Sequence, residues 1–426
     1  MQHNKLLNLK RPYSQGWYSY KNGELASDQA IFSKFTHSLK PNDDVFIFMF
    51  LWPYHRDYKN ELKDNTEEPD IKLATYLGNK NIKGNVFVDN INFDYNSEKK
   101  NLESNRVVQL TPDLNWQGVS EYYALPNNLF MWFIHTPQLQ LMLEKYFPTF
   151  ISQSYAFLKL ASNHQKVVVI NENEAWIGSR NFNRSNWNNQ DHFLEIEGFA
   201  AKIIFNEAVN TIVRLNPSVE NLTFSTIQNT PKAVNLENNN EKKNLAKILR
   251  TSEIKPTILH LIKNATHIDG MVSLLTEPDS IAEINTFLER KGRLRLILDP
   301  NNYIFFIKWP YLPNIIPLMD IETTAELRLH KTKYQMHTKA ALFTLKNGST
   351  CYLGGSANWT TGAIERLAYN DLGILLCNDT KIIREFNQNF SENWNQSLPR
   401  ETIDISHKFY RYGVAKILTW LGINPW

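Results

Sequence analysis

Apolar residues along this chain come in short blocks separated by polar stretches, and the blocks follow two different periods. The runs "DDVFIFMFLW" at 43 to 52, "KGNVFVDNINFDY" at 83 to 95 and "RLRLILD" at 293 to 299 are too short for buried helices and predict strands. By contrast, "IAEINTFLERKG" repeats its apolar positions with helical spacing and stops at Gly292. A second helix is predicted over "SDQAIFSKFTHSL" at 27 to 39, and "ILHLIKNATHIDGMVSLL" at 258 to 275 reads as helix or strand. Helices alternating with apolar strands in both parts of the chain predict an α/β layer structure in each.

Between those parts the pattern lapses. Residues 226 to 244, "TIQNTPKAVNLENNNEKKN", are polar and mark a boundary. The expected division is a domain at 13–228, a linker at 229–245, a second domain at 246–400 and an amphipathic segment at 401–426. A chain of 426 residues exceeds the usual single-core limit of roughly 250 to 300 and agrees with two domains. The polar stretches 57 to 70 and 95 to 105 read as surface loops of the first.

Two segments repeat. "NHQKVVVINENEAWIGSRN" at 163 to 181 and "HTKAALFTLKNGSTCYLGGSAN" at 337 to 358 each run His-x-Lys, an apolar strand, a turn, a second strand and Gly-Ser-x-Asn. Starting at residues 164 and 337, they have the spacing of a duplicated domain, not of a solenoid. Alternate side chains of a strand share a face, so His164 points with Lys166, and His337 with Lys339. The returning strands then bring Ser179 and Asn181, or Ser356 and Asn358, to the same hairpin ends.

Charge and composition change this picture little. Hydrophobic residues at 42% and a net charge of +3 describe a globular, soluble chain without the field that holds DNA nonspecifically. No stable nucleic-acid partner is expected. No apolar run is long enough to span a membrane, and "MQHNKLLNLKRPYSQGW" lacks a secretory h-region, so a cytoplasmic location is expected, with signal-independent export left open. Cys351 and Cys377 sit in apolar strand-like segments and read as core residues, with neither zinc-site nor redox-pair neighbours. The other histidines, His192 and His330 among them, have no repeated partner and read as ordinary surface or core residues.

The doubled His and Lys set suits phosphoryl transfer. Two ammoniums with hydroxyl and amide donors can stabilise a reacting phosphodiester without a metal or other cofactor. One imidazole can attack phosphorus while the other protonates the leaving oxygen and later activates water. Downstream of each set stands a carboxylate, Asp191 or Asp371, able to accept from an imidazole Nδ1–H and fix its tautomer.

The pattern resembles the phospholipase D superfamily, whose signature H-x-K-x4-D-x6-G-S-x-N normally occurs twice. The first copy matches every spacing from His164 to Asn181, with Asn171 where the family has Asp, and "DHFLEIEG" resembles the segment that follows. The second has Thr344 at that position and a hairpin longer by four residues. The resemblance covers nearly all of residues 15 to 400. It implies two similar α/β domains, each a mixed sheet flanked by helices, related by a pseudo-twofold axis with one active site between them. A monomer then suffices for the paired site.

It further implies phosphodiester hydrolysis or phosphatidyl transfer on a phospholipid through a covalent phosphohistidine. His164, Lys166, His337 and Lys339 are then catalytic, with His164 as nucleophile and His337 as general acid. Ser179, Asn181, Ser356, Asn358, Asn171, Asp191 and Asp371 support the phosphate. A nuclease of the same superfamily, a cardiolipin synthase-like protein and a weakened lipid-binding protein remain as alternatives.

Two apolar segments bear on a lipid substrate and a transient membrane surface. In "NYIFFIKWPYLPNIIP" at 302 to 317, Phe305, Phe306 and Trp309 either contact acyl chains or pack against the other domain. The C-terminal stripe of Tyr410, Val414, Ile417, Leu418 and Leu421 predicts a docked amphipathic helix, with a membrane anchor as the other reading.

Overall fold

A computed structural model describes residues 16–27, 37–41, 43–49, 83–88, 164–181, 189–215, 244–300, 314–331, 334–364, 370–402 and 409–420. Phe305, Phe306 and Trp309 lie outside the described residues, as do most of the expected linker and the loops at 57 to 70 and 95 to 105.

The first part contributes β1 (Tyr18–Ser19), β2 (Lys21–Ser27), β3 (Asp44–Met49), β4 (Lys83–Val88), β5 (Lys166–Ile170), β6 (Glu174–Gly178), β7 (His192–Glu197) and helix α1 (Phe199–Leu215). The second contributes β8 (Leu245–Arg250), α2 (Thr251–Asn264), β9 (Ala265–Val272), α3 (Pro278–Glu289), β10 (Arg293–Leu298), α4 (Ile315–Asp320) and β11 (Glu326–Leu329). It continues with β12 (Lys339–Leu345), β13 (Thr350–Gly355), α5 (Thr361–Ile364), β14 (Leu372–Cys377), α6 (Thr380–Gln396), β15 (Leu398–Pro399) and α7 (Phe409–Trp420). The ambiguous stretch at 258 to 275 is both things in turn, the end of α2 and then β9.

The two sheets repeat each other strand for strand. The order β2-β7-β6-β5-β3-β4 in one matches β8-β14-β13-β12-β9-β10 in the other. Their senses agree too, because β3 pairs parallel with β4 and β9 with β10 while the remaining pairs in both series are antiparallel. The second sheet is extended by β11 and β15 at one edge and by β1 at the other, so the chain's first described strand belongs to the sheet of the other half.

Helices α1 and α6 follow the equivalent strands β7 and β14 and form one layer between the sheets. Ile204, Phe205 and Ala208 of α1 and Ile382, Phe386 and Phe390 of α6 share a single apolar cluster with Val167 and Val169 of β5 and Ile374 of β14. A second cluster lies on the far face of the second sheet, under α2, α3 and α4. Spacing explains α6, whose buried Ile382, Phe386 and Phe390 recur every four residues, and Asp379 caps its start by accepting from the N–H groups of Lys381 and Ile382.

Two expectations need correction. Cys351 and Cys377 lie directly opposite each other on β13 and β14 and are joined as a disulfide. Only the strand register reveals it. The C-terminal helix does dock, but on another face: Ala415 is buried, and Tyr412 and Lys416 both bind Asp320 of α4, so Tyr410 and Ile417 face outward. One hydroxyl and one ammonium converging on a single carboxylate set the helix's rotation, against its apolar stripe. The end of the apolar segment at 302 to 317 is core, since Ile315 and Ile316 are buried in the second cluster.

Candidate active site

Both hairpins deliver their polar ends as the strand period dictates. Lys166 opens β5 and Lys339 opens β12, and each ammonium turns back to donate to the carbonyl of the histidine two residues before it. At the end of each returning strand stands a glycine. A Cβ on Gly178 would meet the His192 carbonyl oxygen at 2.0 Å, and one on Gly355 the Leu372 carbonyl oxygen at 2.4 Å. Glycine is required because the backbone leaving the downstream aspartate passes against it.

The serines that follow lock those aspartates. Ser179 Oγ donates to Asp191 Oδ1 at 2.7 Å and accepts from His192 N at 3.2 Å. Ser356 Oγ donates to Asp371 Oδ1 at 2.6 Å and accepts from Leu372 N at 3.2 Å. In this structure both hydroxyls hold carboxylates.

The carboxylates then cross over. His164 Nδ1 lies 2.7 Å from Asp371 Oδ1, and His337 Nδ1 lies 3.1 Å from Asp191 Oδ1. Each imidazole is therefore oriented by the half to which it does not belong. Burial pushes His164 down to about 4, with Lys166 adding to the shift against the opposing pull of Asp371. His337 is likewise lowered to about 4 by burial and Lys339, although 11% of its side chain is exposed against 1% for His164. Burial and then the charge of Lys166 hold Lys339 well below the usual lysine value, so the two ammoniums lie within electrostatic reach. For Asp191 burial acts upward, but His337, Arg180 and Lys339 outweigh it and keep the carboxylate ionised.

Asn181 and Asn358 are buried just past the returning strands. Asn171 is not with them. It sits in the β5–β6 turn at φ 50°, at the opposite end of β5 from Lys166, where it donates to Asp43 Oδ1 at 2.7 Å and accepts from Asp44 N at 2.8 Å. The amide both donates and accepts there, which a carboxylate could not do, and asparagine tolerates the left-handed conformation. Thr344 likewise lies near the far end of β12, opposite Thr350 and away from His337.

Residues not singled out by sequence anchor the crossed carboxylates. Thr251 Oγ1 donates to the Asp371 carbonyl and accepts from its N–H. The Gln190 carbonyl accepts the N–H of His337 at 2.7 Å and of Thr338 at 3.1 Å. Arg180, the variable residue of the first Gly-Ser-x-Asn, is buried, while its equivalent is Ala357. Arg180 and Gln190 adjoin the motif and were open to notice. Thr251 carries no local signal.

Residues 258–394 match the family described as cardiolipin synthase, PLD-like domain. The match falls within the second half and takes in its His337 motif. Among solved structures the chain is similar to a phosphatidylserine synthase from Haemophilus influenzae Rd KW20, with 12% identity, a TM-score of 0.58 and 98% of each chain covered. At that identity the likeness is one of fold, and it extends over both halves. A phospholipase D family member from Salmonella typhimurium, Nuc, matches at 17% identity and a TM-score of 0.30, covering 36% of this chain and 97% of its own. No curated protein sequence matches. The likeness to the phosphatidylserine synthase in fold thus extends over both of the repeated sheets.

Proposed function

We propose that the chain is a phosphodiester hydrolase or phosphatidyltransferase acting on phospholipid through a covalent phosphohistidine. The observation that carries this reading is the crossed pairing: two neutral imidazoles, each with Nδ1 committed to a carboxylate of the other half, in one site with Lys166 and Lys339.

In the first step His164 Nε2 attacks phosphorus. The P–N bond forms as the P–O bond to the leaving group breaks, and His337, which takes up a proton when the anionic substrate arrives, gives it to the leaving oxygen from Nε2. In the second step water or an alcohol attacks phosphorus, His337 accepts its proton, and the P–N bond breaks to return neutral His164. Lys166 and Lys339 offset the charge on the nonbridging oxygens in both steps. Asp371 stabilises the His164 adduct and Asp191 the His337 imidazolium.

The substitutions at Asn171 and Thr344 support an active enzyme over a weakened lipid-binding protein, because both positions lie in the hairpins away from the histidines. Phospholipid as substrate and a transient membrane surface rest on the superfamily and on the apolar segments. Among the described residues no helix is long and apolar enough to cross a membrane.

The test incubates the protein with phospholipid vesicles and a primary alcohol. Phosphatidylalcohol formed at the expense of phosphatidic acid is the expected outcome, because a covalent intermediate can be taken by either acceptor. Hydrolysis of single-stranded DNA without action on lipid would overturn it in favour of a nuclease. Roles are separated with an activated leaving group: His337→Ala should accumulate a phosphoryl adduct and His164→Ala should not.

A further inference from the structure

Helix α6 carries a buried asparagine where its apolar stripe should continue. Asn389 falls between Phe386 and Phe390, both fully buried, and is itself 8% exposed. Its side-chain oxygen faces the other half of the molecule. There Asn389 Oδ1 accepts from His192 Nε2 at 2.8 Å and from Gln190 Nε2 at 3.2 Å. Those two residues flank Asp191 on either side.

Gln190 is also where the halves are stitched together. Its N–H donates to the Gln335 carbonyl at 2.9 Å, and its own carbonyl accepts from His337 N, Thr338 N and Thr338 Oγ1. The side chain of Asn189 exchanges hydrogen bonds with the Gln335 amide and N–H. One oxygen on α6 thus holds both neighbours of the carboxylate that orients His337. On the other side Asp371 is anchored by Thr251 of its own half, and Leu372 stands where His192 does.

We infer that Asn389 is a positioning residue for the acid–base histidine: through Gln190 and His192 it sets where Asp191 meets His337, and it does nothing comparable for His164. The two hydrogen bonds that reach this acceptor from the other half, beside a longer one from Asn393 Nδ2 at 3.4 Å, are costly to leave unmade in a low-dielectric layer, so the conformation of residues 190 to 192 follows the position of α6. The inference rests on the proposed phosphodiester chemistry only for the division of roles between the histidines.

The experiment compares wild type, Asn389→Leu and Asn389→Asp on two short-chain soluble phosphodiesters, one with an alkoxide leaving group and one with p-nitrophenolate. Asn389→Leu removes the acceptor while keeping the branching and number of side-chain heavy atoms, and Asn389→Asp keeps an acceptor for both bonds from the other half. The expected result is a drop in kcat of about tenfold for the alkoxide substrate with Asn389→Leu, part of the roughly 100-fold or more that a positioned acid supplies. The p-nitrophenolate substrate should change little, and Asn389→Asp should recover most of the loss.

Imidazole NMR on histidine-labelled protein without substrate supplies a readout independent of turnover. The titration of His337, which is faced by Asp191, Lys339 and Lys166, should move in Asn389→Leu while that of His164 stays. Should Asn389→Leu fail to fold, Gln190→Met removes one of the two bonds and must show the same leaving-group bias. Equal loss on both substrates with both histidines shifted, or no change in either, overturns the inference. A wild type with no phosphodiesterase activity defeats the functional reading instead, and the NMR comparison still decides the positioning.

Discussion

Asp371 is tethered inside its own half by Thr251, whereas Asp191 is tethered from the opposite half by way of Gln190 and Asn389. Around them everything is duplicated: the six-strand order, the Gly-Ser turn, the serine on the carboxylate and the carboxylate on the far histidine. Duplication of a domain yields two equal halves, but a phosphoryl transfer needs a nucleophile and an acid. The unequal anchoring, with Arg180 on one side and Ala357 on the other, is where that equality is broken.

The largest expected effect comes from removing the crossed carboxylates singly. Asp371→Asn and Asp191→Asn should each lower kcat by roughly 100- to 10,000-fold on a substrate with an alkoxide leaving group, since an amide cannot hold the imidazole tautomer or support the charged state. With a p-nitrophenyl ester the two should part. Asp371→Asn, acting on the nucleophile, stays slow, and Asp191→Asn, acting on the acid, recovers. Identical profiles on both esters would mean that the halves remain functionally equal.

How much of this could be read from the chain depends on how far apart the partners lie. The hairpins were legible, because a His-x-Lys pair and a Gly-Ser-x-Asn end are local and repeat. The aspartates were legible as orienting groups but not as crossed ones, since each bond spans the interface between halves and no spacing encodes it. The cysteines show the same limit: two apolar strands were evident, yet the pairing depends on the register of β13 against β14. Asn389 was invisible because a polar residue on an amphipathic helix has no meaning until its neighbour layer is known. The docking face of α7 was misjudged for a related reason, as two bonds to Asp320 overrode a stripe of larger apolar residues. What packing decides, periodicity cannot announce.

A second prediction asks whether the halves are equally intolerant at their glycines. Gly178→Ala and Gly355→Ala both push a methyl into a carbonyl oxygen of the adjacent strand, and backbone cannot step aside as a flexible side chain would. Each should destabilise by about 1 to 3 kcal/mol in urea unfolding, a typical cost of overpacking. Gly355 also sits at φ 149°, disfavoured for any residue with a Cβ, so its variant should be the less stable of the two. A tolerated substitution at either site would show that half to be looser than described.

Proton linkage is a gentler probe. Each half buries two imidazoles held at about 4, His164 and His192 in one and His330 and His337 in the other. Their folded values lie below the unfolded value of about 6.5, so between those limits the unfolded chain binds more protons. Stability should therefore fall as the pH drops from about 6.5 to about 4 and change little from these groups above or below. Urea midpoints across that window measure the slope, and His330→Leu should flatten it. Stability that rises on acidification through the same window would contradict buried neutral imidazoles.

The smallest effect should come from restoring the superfamily's aspartate at Asn171. If that position supported the phosphate, Asn171→Asp would raise activity, and the present residue would mark a weakened site. Its surroundings argue otherwise. Asn171 accepts from Asp44 N, which an aspartate can also do, but it donates to Asp43 Oδ1 at 2.7 Å, where a second carboxylate would face the first. Turnover should stay within about threefold of the parent, because the turn lies at the far end of β5 from Lys166 and changes there fall among surface effects. The cost should appear in stability: loss of the donor and repulsion between the carboxylates, of order 1 kcal/mol at neutral pH. The two acids would share a raised pKa in the folded state, so the penalty should fade as the pH falls and one of them is protonated. A variant that instead gains much activity, with unchanged stability, would make the asparagine a catalytic handicap and would leave the first half, not the second, as the altered partner.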